Sequence, residues 1–338
     1  MKFIHCSDLH LASPCAGCKN PAKRQKELFT AFERVVSYAV KNDVEAILVA
    51  GDVFDNDYCS IALFDDFVFL LNDSQLKFFF VSGNHGGAHL YKKLKEKTAQ
   101  NCYFFDKEFS SVVLENVNVC GFEPSQNDSW QNVQADESKF NVLLLHCDVD
   151  SDAYGRFDRQ KASSFQYVAL GHRHTHAKMK LKESIVCYSG VLEPRGFDES
   201  GDCGFVVVDT QKNTVKFVSD CRRKVEHVQV DCNGVSSFAE LKKLVQKATF
   251  NHENYVNLKI VGTVNLLVDV KRLQNELCDD VFALRIEDCT SFEGDLESLK
   301  NTNDLLSKFL SLTQELPNDE QKQVVRLGIK AMLGEDLR

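Results

Sequence analysis

The chain has 338 residues, of which 43% are hydrophobic, enough for two or three domains with buried cores. Its formal net charge of −9 argues against general affinity for nucleic acid, although local basic patches could still attract phosphate. No apolar run approaches the roughly 18 residues of a membrane span, and the amino terminus does not resemble a signal peptide. We therefore expect a cytoplasmic protein with no membrane partner, whose 13 scattered cysteines are reduced.

The first half of the chain alternates strand-like and helix-like segments, which is typical of an α/β sheet. KFIHCSD is the first predicted strand, and a helix is expected from Pro21 to about Asn42, with Asn20 as its N-cap. The strand VEAILVAGD follows, and then a helix from about Ser60 to Leu71 and the strand KFFFVSGNH. Two later apolar strands are FNVLLL and YVAL.

Polar side chains follow each of these five strands. Because loops after the carboxyl ends of strands are where sites assemble in an open α/β sheet, we expect these side chains to lie together. They are Asp8, His10, Asp52, Asn84, His85, His146, His172 and His174. In GHRHTH, residues 171 to 176, an extended backbone would also point His172, His174 and His176 to the same side. Such convergence suggests a metal site.

The order of the motifs, DxH, GDxxD, GNH, a histidine after an apolar strand and then GHxH, resembles the calcineurin-like metallophosphoesterase superfamily. CSDLHL, GDVFD, GNH and GHRH are most similar to its SbcD/Mre11-type DNA repair nucleases, and residues 188 to 209 resemble the segment after the last histidines in that branch. The resemblance covers about residues 1 to 222. It implies an α/β fold: a β-sandwich flanked by helices (four-layer αββα), with a small α/β capping domain and C-terminal helices.

The resemblance also implies the metal ligands. It assigns Asp8, His10 and His174 to one ion and Asn84, His146 and His172 to the other, with Asp52 shared. The implied cofactors are two divalent ions, with Mn²⁺ favoured, although mixed nitrogen and oxygen ligands also suit iron or zinc. Two such ions can stabilise the attacking and leaving oxygens in phosphoester hydrolysis. Because both sites are already supplied, we expect His176 to contact substrate or support a ligand.

His85 resembles the catalytic histidine of the family, which would orient or protonate the leaving oxygen. Asp55 resembles the carboxylate that holds this histidine in related phosphatases, and its ordinary alternative is to cap a turn. Many relatives carry an acidic residue after GNH, whereas this chain has Gly86. That change removes no metal ligand, but it affects how the ligands are supported.

Basic residues near the predicted site could contact a nucleic-acid backbone. They are Lys92 and Lys93 in LYKKLKEK and Arg222, with its neighbour Arg223, in CRRK. The alternative is a solvated helix face and an ordinary linker.

After about Lys224 a compact alternation of three strands and two helices predicts a small α/β module. We expect three domains: 1–222, the phosphoesterase (nuclease) domain; 223–290, the capping domain; and 291–338, a helical segment. That segment contains two amphipathic helices, the second with Asn318 as a potential N-cap. Their apolar residues are Leu299, Leu306, Phe309 and Leu310, then Val324, Val325, Met332 and Leu333. These stripes either bury against the protein itself or dock on an SMC-like coiled-coil ATPase, as in the relatives.

The predicted function is that of a dimetal-dependent phosphodiesterase, a DNA exonuclease or endonuclease in DNA repair. The expected partners are DNA, the ATPase and a second copy of the chain. One alternative is a phosphatase or cyclic-nucleotide phosphodiesterase on the same scaffold, and another is a catalytically silent subunit of the ATPase. The complete ligand set disfavours the silent subunit, and the long C-terminal extension favours the nuclease over enzymes for small substrates.

Overall fold

The computed structural model describes residues 1–15, 18–56, 58–85, 88–124, 130–248, 251–293 and 305–333. The chain divides into two compact units, Met1–Lys224 and Val225–Arg338. The predicted boundary lies two residues before this division, and the further separation of residues 291–338 stays a prediction. Gly86 and Leu299 lie outside the described residues.

The first unit contains two six-stranded sheets. In chain order, their strands are β1 Lys2–Cys6, β2 Ala46–Ala50, β3 Lys77–Val81, β4 Cys102–Phe105, β5 Ser110–Leu114, β6 Val117–Gly121, β7 Phe140–His146, β8 Tyr167–Gly171, β9 Ala177–Leu181, β10 Ser184–Tyr188, β11 Gly204–Asp209 and β12 Thr214–Ser219. The first sheet has the order β12-β11-β1-β2-β3-β4, and the second has the order β5-β6-β7-β8-β10-β9. Strands β1 to β4 run parallel, and so do β6, β7, β8 and β10.

The helices of this unit are α1 Pro21–Lys41, α2 Ile61–Asp73, α3 Ala88–Lys97 and the short α4 Arg159–Ala162. Local capping chemistry sets where the first two begin. Asn20 accepts a hydrogen bond from the Lys23 amide at 3.0 Å, and Ser60 accepts one from the Leu63 amide at 3.2 Å. Both helices therefore begin where the sequence predicts.

The two sheets pack face to face, and helices cover the outside. Leu48 and Phe79 of the first sheet share a buried cluster with Leu144 and Ala169 of the second. On the opposite face of the first sheet, Ile47, Phe78 and Phe80 pack with Phe32 of α1 and Phe67 of α2. The outer face of the second sheet is covered by α4 and the segments around Trp130 and Phe157. Because both faces of each sheet are covered, the central strands are apolar on both faces. The predicted αββα architecture is confirmed.

The second unit contains a parallel sheet, in the order β13-β14-β15. Its elements are β13 Val225–Asp231, α5 Phe238–Gln246, β14 Tyr255–Val264, α6 Val270–Leu277, a 3₁₀ turn at Cys278–Asp280, and β15 Ala283–Phe292. Leu241 of α5 and Leu273 of α6 pack with Leu258 and Ile260 of β14. These elements match the predicted small α/β module.

Two helices, α7 Leu305–Leu312 and α8 Asn318–Leu333, follow in this unit. Their contact buries Leu310, Val325 and Ile329. Val324 and Met332, which we assigned to the apolar stripe, are 37% and 39% exposed. The prediction is confirmed for Val325 and wrong for Val324 and Met332, because the side facing α7 runs through Val325 and Ile329, four residues apart. Among the described helices, none has the length and apolarity needed to cross a membrane.

Candidate metal centre

The site lies where strands of both sheets end. Asp8 follows β1, Asp52 follows β2, and His146 is the last residue of β7. The loops after β1 and β2 are joined by their backbones: the Asp8 amide donates to the Gly51 carbonyl at 3.1 Å, and the His10 amide donates to the Asp52 carbonyl at 2.9 Å. These bonds hold polar side chains from distant parts of the sequence next to one another.

Four predicted ligands have left-handed backbone conformations. Their φ angles are 52° at Asp8, 44° at His10, 48° at Asp52 and 96° at His172. Residues with a side chain rarely adopt this region, although Asp and His are enriched in it, and such conformations cluster at functional sites.

Asp8, His10 and His174 form the first half of the site. The Nε2 atoms of His10 and His174 are 3.2 Å apart, and His174 Nε2 is 3.9 Å from Asp8 Oδ1. Asp8 and His10 are buried, whereas His174 is partly exposed. The first half is therefore mostly enclosed.

Asn84, His146 and His172 form the second half. Asn84 Oδ1 is 2.8 Å from His146 Nε2 and 3.1 Å from His172 Nδ1. The other ring nitrogen of His146, Nδ1, is 2.9 Å from the Ala50 carbonyl oxygen. His146 is buried, His172 is half-buried and Asn84 is exposed. This half is consequently the more open one.

Asp52 lies between the two halves. Its Oδ2 atom is 3.4 Å from His146 Nε2 and 3.9 Å from His10 Nε2. Its Oδ1 atom accepts a hydrogen bond from the His85 backbone amide at 2.7 Å. A carboxylate in this position is placed to serve both halves, as the resemblance implies.

The spacing of these atoms fits metal ions. Nitrogen and oxygen ligands lie about 2.0–2.2 Å from a transition metal, so neighbouring ligand atoms of one ion are about 2.8–3.5 Å apart. Four of the separations described above fall in this range, at 3.2, 2.8, 3.1 and 3.4 Å, and two, from His174 to Asp8 and from His10 to Asp52, are longer at 3.9 Å. The structure thus brings all seven predicted ligands together, while ligation itself stays a prediction.

The electrostatics also favour a cation. Burial lowers the pKa of His146, but the Asp52 carboxylate and other acidic groups outweigh it and raise the pKa to about 8. Burial raises the pKa of Asp52, yet the hydrogen bond with His146 holds it well below its usual range. A potential negative enough to protonate a fully buried imidazole would equally attract a divalent ion.

Two glycines are required for this close packing. A Cβ atom at Gly83 would overlap the Asp52 carboxylate, and one at Gly51, where φ is 85°, would overlap the His146 ring. Only glycine lets the backbone approach the ligands so closely.

His85 and Asp55 border the first half. The His85 ring is exposed, and its centre is 5.1 Å from that of His10. The expected partner of Asp55 is His85, but Asp55 Oδ1 lies 2.9 Å from His10 Nδ1 and 2.6 Å from an Arg195 nitrogen. The Asp55 carboxylate therefore supports a ligand histidine. The catalytic role of His85 stays a prediction.

His176 does not join the site as the alternation predicted. Its Nδ1 is 2.9 Å from the Tyr188 carbonyl oxygen, and its ring stacks on Phe217 with the centres 4.2 Å apart. The predicted convergence holds for His172 and His174 and is wrong for His176. A contact of His176 with substrate stays a prediction.

The predicted basic contacts have different surroundings. Lys92 is exposed on α3, whereas the Lys93 ammonium lies 4.5 Å from the centre of the Phe64 ring. Arg222 is exposed, with Nε 3.6 Å from Glu27 Oε1. Arg223 is 1% exposed and pairs with Glu27 at 2.7 Å, so it cannot reach a nucleic acid.

Sequence reasoning missed two residues behind the first half, Arg195 and Glu199. Glu199 Oε1 is 2.7 Å from His174 Nδ1, and Arg195 bonds both Glu199 and Asp55. Both residues lie in the segment 188–209 that carries the resemblance. The signal available in the sequence was this arginine and this glutamate, four residues apart in a segment where we predict no helix.

The comparisons with known proteins agree with this geometry. The family model described as calcineurin-like phosphoesterase matches residues 1–176, more than half of the chain. The chain belongs to the calcineurin-like phosphoesterase family. The fold and the paired clusters agree with this membership, which supports a metal-binding hydrolase acting on phosphodiesters.

Individual relatives of this phosphoesterase are distant. It is 25% identical to the uncharacterized metallophosphoesterase YhaO of Bacillus subtilis, over 88% of this chain and 84% of that protein. It is 22% identical to the DNA double-strand break repair protein Mre11 of Sulfolobus acidocaldarius, over 94% of this chain and 88% of that protein. A solved structure of an archaeal phosphodiesterase is 16% identical, covering 64% of this chain and 98% of its own, with a TM-score of 0.38.

Proposed function

We propose that this phosphoesterase is a dimetal-dependent DNA nuclease that acts in DNA repair. The observation that carries the proposal is the position of Asp52 between two ligand clusters, with the exposed His85 beside them. DNA as the substrate is supported by the similarity to Mre11, which extends over 94% of this chain and so includes both units.

The proposed chemistry assigns separate tasks to the side chains. Asp8, His10, Asp52, Asn84, His146, His172 and His174 would hold two divalent ions, with Mn²⁺ as the favoured metal. When bound, such ions supply a nucleophilic hydroxide near neutral pH and neutralise charge on the phosphate. His85 would donate a proton to the leaving oxygen, a role that contributes about 10²- to 10⁴-fold. The hydrogen bond from its backbone amide to Asp52 holds the loop after β3 in place, and its exposed ring can contact the substrate.

Two further features suit a nucleic acid. Tyr154 is 47% exposed, and its ring centre lies 4.4 Å from that of His172. An exposed aromatic ring beside the scissile bond would let a base stack on it. Lys92 is exposed on α3, which begins three residues after His85, and would attract the phosphate backbone.

A second copy of the chain is the partner we propose for α1 and α2. The surface they form includes exposed Ile61 and Phe69, at 74% and 69%, next to Phe29, Leu63 and Leu70. Apolar side chains grouped in this way are typical of interaction surfaces. Light scattering should report a dimer for the wild type and a monomer for Phe69→Glu; a monomeric wild type would contradict the proposal.

The ATPase partner is proposed for α7 and α8. Leu305 and Leu312 of α7 are 70% and 82% exposed, although the facing sides of the two helices are buried against each other. Exposed leucines on an amphipathic helix suit docking on a coiled coil. Binding to a coiled-coil ATPase that is abolished by Leu312→Asp would support this partner, and binding unchanged by the substitution would contradict it.

The nuclease proposal is tested with end-labelled single- and double-stranded DNA and Mn²⁺. We expect the wild type to release nucleotides and His85→Ala to lose about 10²- to 10⁴-fold in rate while still binding metal. His89→Ala is the matched control, because His89 is an exposed histidine of α3 outside the clusters. It should retain the wild-type rate.

Two other outcomes of this assay would favour a different function over the proposed nuclease. Intact DNA together with His85-dependent hydrolysis of a small phosphodiester or phosphomonoester would favour the phosphatase or cyclic-nucleotide phosphodiesterase. Inactivity on every substrate, with and without the ATPase, would favour a catalytically silent subunit.

A further inference from the structure

A buried ion cluster lies directly behind the first half of the metal centre. Arg195 donates to Asp55 Oδ1 at 2.6 Å and, through two of its side-chain nitrogens, to Glu199 Oε1 at 3.0 and 2.8 Å. The Arg195 backbone amide also donates to Glu199 Oε2 at 2.5 Å. The side chains of Arg195, Asp55 and Glu199 are only 18%, 15% and 5% exposed. One guanidinium therefore bridges two carboxylates.

Each of these carboxylates faces a different predicted ligand of the same ion. Asp55 Oδ1 is 2.9 Å from His10 Nδ1, and Glu199 Oε1 is 2.7 Å from His174 Nδ1. A carboxylate at Nδ1 keeps the proton on that nitrogen and leaves the lone pair of Nε2 free for a metal. The two Nε2 atoms are the ones that face each other at 3.2 Å. The two carboxylates therefore line the Nδ1 side of both imidazoles, and the Nε2 atoms are left facing each other.

The backbone that carries Arg195 is itself anchored. Glu193 accepts hydrogen bonds from Arg24 at 2.9 Å and from Arg34 at 2.8 Å, and the Pro194 carbonyl accepts one from Arg24 at 2.6 Å. Arg24 and Glu193 are almost completely buried. Contacts with α1 therefore anchor the backbone immediately before Arg195.

The second half has this support for one imidazole, because the Ala50 carbonyl oxygen lies 2.9 Å from His146 Nδ1 and can hold a proton there as a carboxylate would. His172 presents Nδ1 to Asn84. Among the described residues, no carboxylate lies within ion-pair distance of His172 (His146 has only the shared Asp52). The two halves therefore differ in how far their imidazoles are oriented before an ion arrives.

We propose that Arg195 is a positioning residue that preorganises the Asp8–His10–His174 half, so that this half binds a divalent cation tightly and the second half binds one weakly. The inference rests on the metal centre of the proposed function, but it does not depend on DNA as the substrate. Arg195 acts through Asp55 and Glu199, and its guanidinium also lies 3.3 Å from His174 Nδ1.

The test is titration of metal-free protein with Mn²⁺ by calorimetry, with bound and free ion counted by electron paramagnetic resonance. We expect a tight and a weak class in the wild type. Arg195→Ala should weaken the tight class by about 10- to 100-fold, the usual effect of losing an outer partner of a metal ligand, and leave the weak class in place. Arg195→Lys should restore only part of the affinity, because a single ammonium group cannot form the hydrogen bonds by which the planar guanidinium bridges two carboxylates.

Arg173→Ala is the matched control. Arg173 also bridges two carboxylates, Asp148 and Asp150, at 2.6 Å each, and it lies next to His172 and His174 in the sequence. Neither of its carboxylates contacts the Nδ1 atom of His10 or His174, so the tight class should be unchanged. Equal weakening by Arg173→Ala and Arg195→Ala would reduce the effect to general charge loss and overturn the proposal.

Glu199→Gln keeps the test decisive if Arg195→Ala does not fold, as judged by circular dichroism. It preserves the shape of the side chain but removes the charge, and it should weaken only the tight class. Wild-type Mn²⁺ affinity in the folded variants would overturn the proposal. Failure of the nuclease assay alongside two normal classes of Mn²⁺ site would instead contradict the DNA substrate and leave the role of Arg195 standing.

Discussion

The two halves of the metal centre orient their predicted histidine ligands in different ways. In the first half, two carboxylates bridged by Arg195 orient His10 and His174. In the second half, the Ala50 carbonyl and the exposed Asn84 amide contact His146 and His172, and the shared Asp52 lies 3.4 Å from His146. The comparison teaches that ligand identity alone does not set metal affinity, since both halves offer two imidazoles. The enclosed half is built to retain an ion, and the open half leaves room for substrate.

The largest effect should come from the residue that the halves share. Asp52→Asn removes the charge between them, so we expect both classes of Mn²⁺ site to weaken and activity to fall by more than the 10- to 100-fold typical of an outer partner. Mn²⁺ titration and hydrolysis of a generic phosphodiester measure the two effects. Loss of only one class would show that Asp52 belongs to a single half and would break the comparison.

A smaller and more selective effect is expected from Asn84→Ala. Among the described residues its oxygen contacts His146 and His172, so the weak class of Mn²⁺ site should be lost while the tight class keeps its affinity. Activity at low Mn²⁺ should fall and should recover in part as the Mn²⁺ concentration is raised. Weakening of the tight class in the same titration would mean that the halves do not bind independently.

The smallest effect concerns the ion network that anchors the first half. Burial raises the pKa of Glu27, but hydrogen bonds from Arg223 and Arg24 outweigh it and lower the pKa to about 2. A carboxyl whose pKa is depressed on folding stabilises the protein above its unfolded value of about 4.3, and this contribution is lost as the pH falls through about 2. Glu27→Gln should therefore lower the free energy of unfolding at pH 7 by on the order of 2–3 kcal/mol.

The pH dependence provides the check. The difference in the free energy of unfolding between wild type and Glu27→Gln, measured in urea without metal, should shrink as the pH falls from 5 to 2. Glu33→Gln, an exposed substitution on the same helix, is the control and should change stability little at any pH. A difference that does not vary with pH would assign the effect to packing.

Much of the site could be predicted because strand ends leave clear signals. Asp8, Asp52 and His146 each follow an apolar run, and parallel strands deliver such residues to one edge. The helix starts at Pro21 and after Ser60 could also be predicted, because capping depends on neighbouring residues alone.

The rest depends on contacts that local sequence does not encode. Arg195 is 140 residues from Asp55, and no periodicity connects them. Asp55 groups with both His85 and His10, and its spacing of three residues from Asp52 does not reveal the contact with His10. The surroundings of His176, the Phe217 ring and the Tyr188 carbonyl, come from other segments that GHRHTH does not reveal.

The left-handed residues of the site also affect how the protein can be altered. Each such conformation costs about 1–3 kcal/mol for a residue with a side chain, and glycine avoids most of that cost. A laboratory selection for heat resistance in a chelating buffer should therefore favour replacements such as Asp8→Gly, which relieve the backbone and destroy the ligand. The sequence now found at these positions is the one expected when selection acts on the working enzyme rather than on the fold alone.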